Sequence, residues 1–403
     1  MLKNKVVFML SNAKYDAPIE STGYTIARHL AQHNQVFYVE YPATVKDYYQ
    51  LKESPEFSKK KDLYRKRSNG ILNTDLPNLK IVITRLLLSI NFLPEGWLYR
   101  KLLAYNERLI VNRIKKVIKT FNISDFIFIN SFNIHYPNVG KRLSPVLNVY
   151  HCVDPLVSGY DTKHGLLSEQ EIVKHSDLII CTSKKLFKIN SKRHSNVHFV
   201  PNAADFEHSN KANLASTPVL PVLQTFKKPI IGYLGNVEGR TNFELLTAVA
   251  EKNPEKSFVF VGPADEVYRK KLISKAKNIF LVDAVAYQKM PEVLKGFDVA
   301  IIPFKKDEFS ATIFPLKLFE YLGSGKPVVA TDFNTDLNEQ TKNTVPYCAN
   351  ADEFSEAIND ALSNDSADNK AARLAVAKDN TWQKRADEFS DLLLKNIQKK
   401  TNN

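Results

Sequence analysis

In the stretch TIFPLKLFEYLGSGKPVVATD (312–332), Lys317 and Glu320 stand three residues apart in an otherwise apolar run. Pro315 suits a first helical position, where a missing N–H is of no consequence. Leu316, Leu318, Phe319, Tyr321 and Leu322 then make the helix apolar nearly all round, which marks a buried helix. Gly323 and Gly325 end it, and PVVAT reads as a short buried strand. Residues three apart share a helix face. The pair is therefore either a salt bridge between two poorly solvated charges or a ligand stripe. In the second case the carboxylate accepts hydrogen bonds from both hydroxyls of a ribose, and the ammonium meets phosphate.

Other candidates share this ambiguity. In YLGNVEGRTNFELL (233–246), Gly235 and Asn236 form a tight turn, Gly239 and Arg240 follow, and Thr241 is placed to cap a helix. Backbone N–H groups in such a turn cradle a pyrophosphate that Arg240 would neutralise; an ordinary turn with a solvated arginine has the same sequence. FVGPAD (260–265) ends a strand with Gly262-Pro263, and the loop 283–287 is placed to flank a base. In VYHCVDPLVSGYD (149–161), His151 and Asp154 fall just past a strand's carboxyl end, as catalytic groups or as a packed imidazole and a capping carboxylate. Ser21, Thr22 and Gly23 open a helix where phosphate or an acceptor can approach, and His135 is a further edge candidate.

These groups need elements to hold them. Short β-rich runs alternate with helical patterns in both halves: 5–10, 35–40, 79–84, 125–130, 146–151, 178–183 and 197–200, then 229–235, 257–262, 279–284, 299–304, 327–331 and 344–349. Continuous rather than alternating apolar strands argue for parallel sheets covered on both faces. The expected architecture is α/β, two doubly wound Rossmann-like domains facing across a cleft. The first covers 1–205, a linker rich in Ser, Asn, Pro and Lys covers 206–228, the second domain 229–380, and a closing helix 381–403. Open parallel sheets bind ligands beyond the carboxyl ends of their strands, which selects the loops named above.

At 403 residues the chain is too long for one ordinary core. No apolar run approaches the ~18 residues of a membrane span, and the block at 6–10 is too short for a signal-peptide core. Cys152, Cys181 and Cys348 are too scattered for a disulfide framework or a zinc site. A cytoplasmic protein is the simplest expectation. The net charge of +13 is uneven: residues 1–200 hold 30 of the 56 basic and 16 of the 43 acidic residues, or +14, which leaves −1 for the remainder. Much of the surplus lies in 59–67 and 97–121, with Trp97, Leu63 and Tyr64 interspersed. That pattern is either a solvated helix face or a contact for an anionic inner leaflet, and no nucleic-acid reading motif accompanies it.

The order GYLGN…R, FVGP, a tyrosine loop, FDVAIIPF and PLKLFEYLGSGKPVV, with PNAAD at 201–205, resembles the nucleotide-binding half of GT-B glycosyltransferases and is most similar to family 4, the retaining sugar-nucleotide enzymes. The resemblance covers roughly 197–350 and is topological before that. It implies that Glu320 binds the donor ribose, and that Gly235, Arg240 and the N–H groups near Pro315 and Leu316 hold the diphosphate. Asn236, Gly262 and Lys317 complete the expected donor site. In many relatives a glutamate that touches the donor sugar stands eight residues before the position of Glu320; here that position is Thr312. On the other domain the resemblance points to His151 and Asp154 as facing the donor sugar. The implied reaction moves a sugar from a nucleotide-diphosphate donor, UDP favoured over GDP, to a hydroxyl of a glycan or polyprenyl-phosphate-linked acceptor in bacterial surface polysaccharide assembly. No Asp-x-Asp occurs, so Arg240, Lys317 and a helix start are expected to carry the leaving group without metal or separate cofactor. A sugar-nucleotide epimerase or hydrolase, and a basic binding protein without turnover, are the rival readings.

Overall fold

A computed structural model describes residues 1–17, 21–156, 159–273 and 276–402. The chain divides into two compact units, Met1–Pro201 with Arg385–Asn403, and Asn202–Lys384.

The first unit contains strands β1 (Val6–Ser11), β2 (Gln35–Val39), β3 (Ile71–Asn73), β4 (Leu79–Val82), β5 (Ile127–Ser131), β6 (Leu147–Cys152), β7 (Leu178–Cys181) and β8 (Val197–Phe199). Their order is β3-β4-β2-β1-β5-β6-β7-β8, parallel except for β3. Each expected strand is present within two or three residues. β3 has no counterpart in the sequence reading, because three residues at an edge show no apolar period. The apolar strands bury both faces: Phe8 stacks on Phe37 at 4.8 Å, and both are fully buried. Polar side chains start the helices, as where Ser21 accepts from the Tyr24 N–H before Thr22–Leu30.

The second unit contains β9 (Ile230–Leu234), β10 (Ser257–Val261), β11 (Ile279–Val282), β12 (Val299–Ile302), β13 (Val328–Thr331) and β14 (Tyr347–Cys348), ordered β11-β10-β9-β12-β13-β14 and parallel throughout. In both sheets the strand order reverses beside the first strand, between β1 and β5 and between β9 and β12. Crevices open at such switch points.

Two boundaries differ from expectation. Residues 206–228, read as a linker, hold helix Phe206–Asn210 and two short 3-10 turns, and fold with the second unit. Asp205 caps that helix by accepting from the His208 N–H, and Gly323 packs so closely on it that a Cβ there would lie 2.2 Å from Ser209 Oγ. The last helix, Trp382–Thr401, is not a separate element: from Arg385 onward it belongs to the first unit. Leu2 N–H donates to Ser390 Oγ at 2.6 Å, Asn196 to Asn396 at 2.7 Å, and Lys400 to Asp177 at 2.8 Å.

Candidate functional site

The β9/β12 switch point gathers most of the expected donor-site residues. Beyond β9, Gly235 adopts φ +136°, and beyond β10, Gly262 adopts φ +149°. Both values lie where side chains fit poorly. The two turns stack: Gly235 N–H donates to the Val261 carbonyl and Val237 N–H to the Pro263 carbonyl, each at 2.9 Å. A Cβ on Gly262 would come within 2.2 Å of the Gly235 carbonyl, and one on Gly235 within 2.6 Å of Lys317 Nζ. Asn236 donates to Glu238 at 3.0 Å, and Glu238 pairs with Arg240. Asn242, not Thr241, caps the following helix Phe243–Lys252 by accepting from the Leu245 N–H.

From the other side of the switch comes helix Leu316–Gly323. Pro315 is its extended N-cap rather than its first helical residue, and it offers no side-chain cap. The N–H groups of Leu316 and Lys317 therefore lie outside the helix's own bonding ladder and carry its positive dipole end. The approach to this helix is pinned: Asn202 donates to the Phe314 carbonyl at 3.1 Å and Asn334 to the Ile313 carbonyl at 2.8 Å. Thr312 is buried and donates its hydroxyl to the Phe309 carbonyl at 2.6 Å.

Lys317 and Glu320 do not form a salt bridge. Lys317 Nζ instead donates to Tyr233 Oη at 2.5 Å and sits 3.8 Å from the centre of that ring. Tyr233 in turn donates to the Asn236 carbonyl at 2.8 Å. Lys317 Nζ and the Arg240 guanidinium each lie 5.4 Å from the centre of the Phe304 ring, so the two basic groups share one aromatic neighbour. Burial, reinforced by the Arg240 charge, holds the Lys317 ammonium well below its ordinary value; Glu320 acts in the opposite sense. Burial likewise raises the Glu320 carboxyl to about 7, opposed by Lys317 and aided by Asp205. Among the described residues the Glu320 carboxylate has no ion pair or hydrogen bond, and its side chain is only partly buried. A partly desolvated carboxylate on the same helix stripe as a tethered lysine, with open helix N–H groups one turn away, is suited to receive hydroxyls and an anion from outside the chain.

Tyr233, Phe304 and Asp205 are the members of this arrangement that reading the sequence did not single out. Tyr233 and Phe304 end apolar strand runs and read as core. Their proximity to Lys317 follows from β9 and β12 being neighbours in the sheet, an adjacency that the local sequence does not specify.

In the first unit the residues about the β1/β5 switch are tightly packed. His151 is 2% exposed, pairs in register with Ser131, and shares a hydrogen bond of 3.1 Å from Nδ1 to Ser131 Oγ. Burial lowers its pKa to about 4, so the ring is neutral at neutral pH. Its edge meets Phe389 of the last helix at 5.2 Å. Asp154 is exposed, at a bend beyond β6. Gly23 lies close against the same strand ends, a Cβ there reaching 2.6 Å from Ser131 Oγ. His135 stacks near Tyr160 and Tyr41, with ring centres at 4.0 and 5.4 Å. Residues 18–20 and 157–158, within the loops named from sequence, lie outside the described residues.

The basic segments also differ from expectation at two basic positions, Lys60 and Arg113, which are buried. Lys60 is buried, donating to Glu40 at 2.9 Å and to Asp16 at 3.0 Å, and so cannot meet an external surface. Tyr64 is buried as well. The pair Glu40–Lys60 satisfies two charges that neither could carry alone.

Comparison with known proteins bears on the second unit's sequence and on the fold. Residues 228–364 match the family described as Glycosyl transferases group 1. TuaH of Bacillus subtilis (strain 168), assigned as a teichuronic acid biosynthesis glycosyltransferase, is 27% identical over 219 residues, a match covering 49% of this chain and 53%, about half, of that relative. Among solved structures, sucrose-phosphate synthase from Thermosynechococcus elongatus superposes with a TM-score of 0.66 at 14% identity, covering 97% of this chain and 99% of the other. The UDP-forming trehalose-phosphate synthase of Burkholderia vietnamiensis gives 0.69 at 11% identity, with 96% of each covered. Anabaena HepE, solved in complex with UDP, gives 0.64 at 14% identity, covering 97% of this chain and all of that one. The chain thus has the two-Rossmann-unit GT-B fold of these structures, and its residues 228–364 are similar to the Glycosyl transferases group 1 family.

Proposed function

We propose that the chain transfers a glycosyl group from a nucleotide-diphosphate sugar to a hydroxyl of a glycan or lipid-linked acceptor in bacterial surface polysaccharide assembly. The observation that carries this reading is the Glu320 carboxylate, unbonded among the described residues, one turn from the open N–H groups of its own helix and on the same stripe as Lys317. Glu320 accepts from the ribose hydroxyls. The N–H groups of Leu316 and Lys317, with the Lys317 and Arg240 side chains, receive the diphosphate, and the turn at Gly235, Asn236 and Gly262 lets its backbone approach. Thr312 lies toward the donor sugar. UDP is the favoured nucleotide, a choice supported by the UDP and UDP-2-fluoro glucose named for structural neighbours. The polysaccharide role is supported by the assignment of TuaH.

The reaction breaks the bond between the sugar's anomeric carbon and the phosphate oxygen, whose electron pair stays on the diphosphate. The acceptor oxygen forms the new bond and gives its proton to the departing phosphate. Attack from the leaving group's side retains configuration. Arg240 must exchange Glu238 for the diphosphate, and Lys317 must turn from Tyr233; both movements concentrate charge where it develops. No metal is needed in this scheme. His151 and Asp154 are the candidates for the sugar or acceptor side, with His151 acting as a neutral hydrogen-bond partner. The basic surplus of the first unit suits a peripheral position at an anionic membrane that presents a polyprenyl-phosphate-linked acceptor.

The test is turnover of UDP- and GDP-sugars with a polyprenyl-phosphate-linked saccharide, with products identified by mass. A glycosylated lipid whose formation persists in excess EDTA, and falls by about 10²–10³ in Arg240→Ala or Lys317→Ala, supports the reading. Free sugar or an epimerised nucleotide as sole product assigns the site to a hydrolase or epimerase instead, and activity restored only by a divalent cation overturns the metal-independent scheme.

A further inference from the structure

Aromatic and aliphatic side chains that a soluble domain normally buries stand together on one face of the first unit. Phe92 and Trp97 are each 76% exposed, and Leu166 57%. Two segments distant in sequence meet here. Lys163 Nζ donates to the carbonyls of Phe92 at 3.0 Å and Asn91 at 3.3 Å; His164 Nδ1 bonds Glu95 at 2.7 Å; Arg100 reaches Ser168 Oγ at 3.3 Å. These contacts lock the backbone while the apolar side chains point out, with Leu98 and Leu167 beside them, 44% and 47% exposed. Exposed apolar groups collected in this way mark an interaction surface.

Helix Trp97–Thr120 extends the face. Trp97, Lys101, Tyr105, Arg108, Lys115 and Lys119 follow one another at helical spacing along a single stripe, and all are exposed. The helix's one acidic residue, Glu107, is turned away: it is 1% exposed, accepts from the Asn138 N–H at 2.7 Å and pairs with Arg142 at 3.4 Å. Alongside, Arg113 and Lys116 bind carbonyls of Arg65 and Arg67, at 3.1 and 2.7 Å. Segment 61–67 thus lies beside the basic half of the stripe with Lys61, Arg65, Lys66 and Arg67 exposed, its one acid, Asp62, being paired with Arg65 at 3.2 Å.

We propose that this face docks on an anionic bilayer, with Trp97 and Phe92 entering the interfacial layer and the stripe from Lys101 to Lys119 lying against lipid headgroups. A helix of 24 residues gives a straight contact about 36 Å long, aromatic at one end and carrying a single sign of charge along the rest. That distribution complements a uniformly negative sheet, where aromatic rings prefer the headgroup level and basic residues the anionic surface. A folded protein partner would present mixed charges, against which a stripe without acids is poorly matched. The proposal names the surface for the membrane location offered above, but its chemistry does not depend on which sugar is transferred.

Fluorescence gives a direct readout, because the chain has two tryptophans and Trp382 is only 9% exposed. Vesicles of phosphatidylglycerol and phosphatidylcholine should blue-shift the emission, and lipids brominated in the acyl chain should quench it; Trp97→Phe should remove both signals. Trp97→Ser with Phe92→Ser should lower vesicle partitioning at least ten-fold. Each of Lys101→Glu, Arg108→Glu and Lys115→Glu should lower it about five-fold or more at low salt. All these positions are exposed, so thermal midpoints and calorimetric UDP binding should stay at wild-type values, which separates loss of docking from failure of the donor site. Wild-type protein that shows neither blue shift nor quenching on anionic vesicles at low salt overturns the proposal. So does self-association or binding to an acidic protein that Trp97→Ser abolishes while vesicle binding is unchanged.

Discussion

Glu320 places a carboxylate where its own fold disfavours the charge. Its pKa stands at about 7 against an ordinary 4.5, chiefly through burial. Because the folded value is the higher one, its contribution to stability is fully present below about pH 4.5 and is lost as pH rises through 7. Glu320→Gln should therefore be more stable than wild type at pH 8 by about 1–2 kcal/mol and nearly equal at pH 4.5, by denaturant titration. A wholly desolvated carboxylate with that shift would give about 3 kcal/mol, and water reaching the side chain reduces it. The same substitution should weaken UDP binding by roughly 2–4 kcal/mol by calorimetry, since two charge-assisted hydrogen bonds are lost. In wild type, UDP affinity should decline as pH falls below 7. Unchanged affinity in the glutamine variant would remove Glu320 from the donor site. Lys60 shows the opposite use of a charged residue: within a run of three lysines, it alone turns inward because Glu40 and Asp16 wait there.

At the scale of the element, two stacked βα turns and one helix start make the candidate site. Gly262 cannot gain a side chain without meeting the backbone of Gly235 at 2.2 Å, and backbone cannot rotate away. Gly262→Ala should cost about 2–4 kcal/mol of stability, read as a lower denaturant midpoint. At Gly235 the obstacle is the flexible end of Lys317, 2.6 Å away. Gly235→Ala should thus lose only about 1–2 kcal/mol, while displacing the ammonium and weakening UDP binding about ten-fold. Equal stability losses at the two glycines would contradict the stacked-turn account. The turns were legible in sequence because glycine after a β-run followed by a capped helix is local chemistry. The cap itself was read one residue early, at Thr241 rather than Asn242, a choice both residue types permit.

At the scale of the molecule, the chain ends inside the fold with which it began. Phe389 is fully buried in the first unit against His151, and Met1 pairs its amino group with Asp391. Phe389→Ala should destabilise by about 3–5 kcal/mol. Hydrogen exchange should show the loss in strands β5 to β7, with β9 to β13 unaffected. Protection lost first in the second unit would contradict the assignment of this helix.

Local pattern was sufficient for much of this protein. Continuous apolar runs separated by helical periods specify parallel sheets, and the glycine turns and the PLKLFEYLGSG helix that form the candidate site are readable locally, because periodicity and turn chemistry act within a few residues. Only the condensed chain decided that Lys317 bonds Tyr233 across 84 positions rather than Glu320 across three, that Lys60 is internal while Trp97 is external, and that residues 206–228 and 385–403 join units their composition did not indicate. Each of those outcomes depends on a partner distant in sequence, and burial and charge compensation set the choice once both partners are brought within hydrogen-bonding reach.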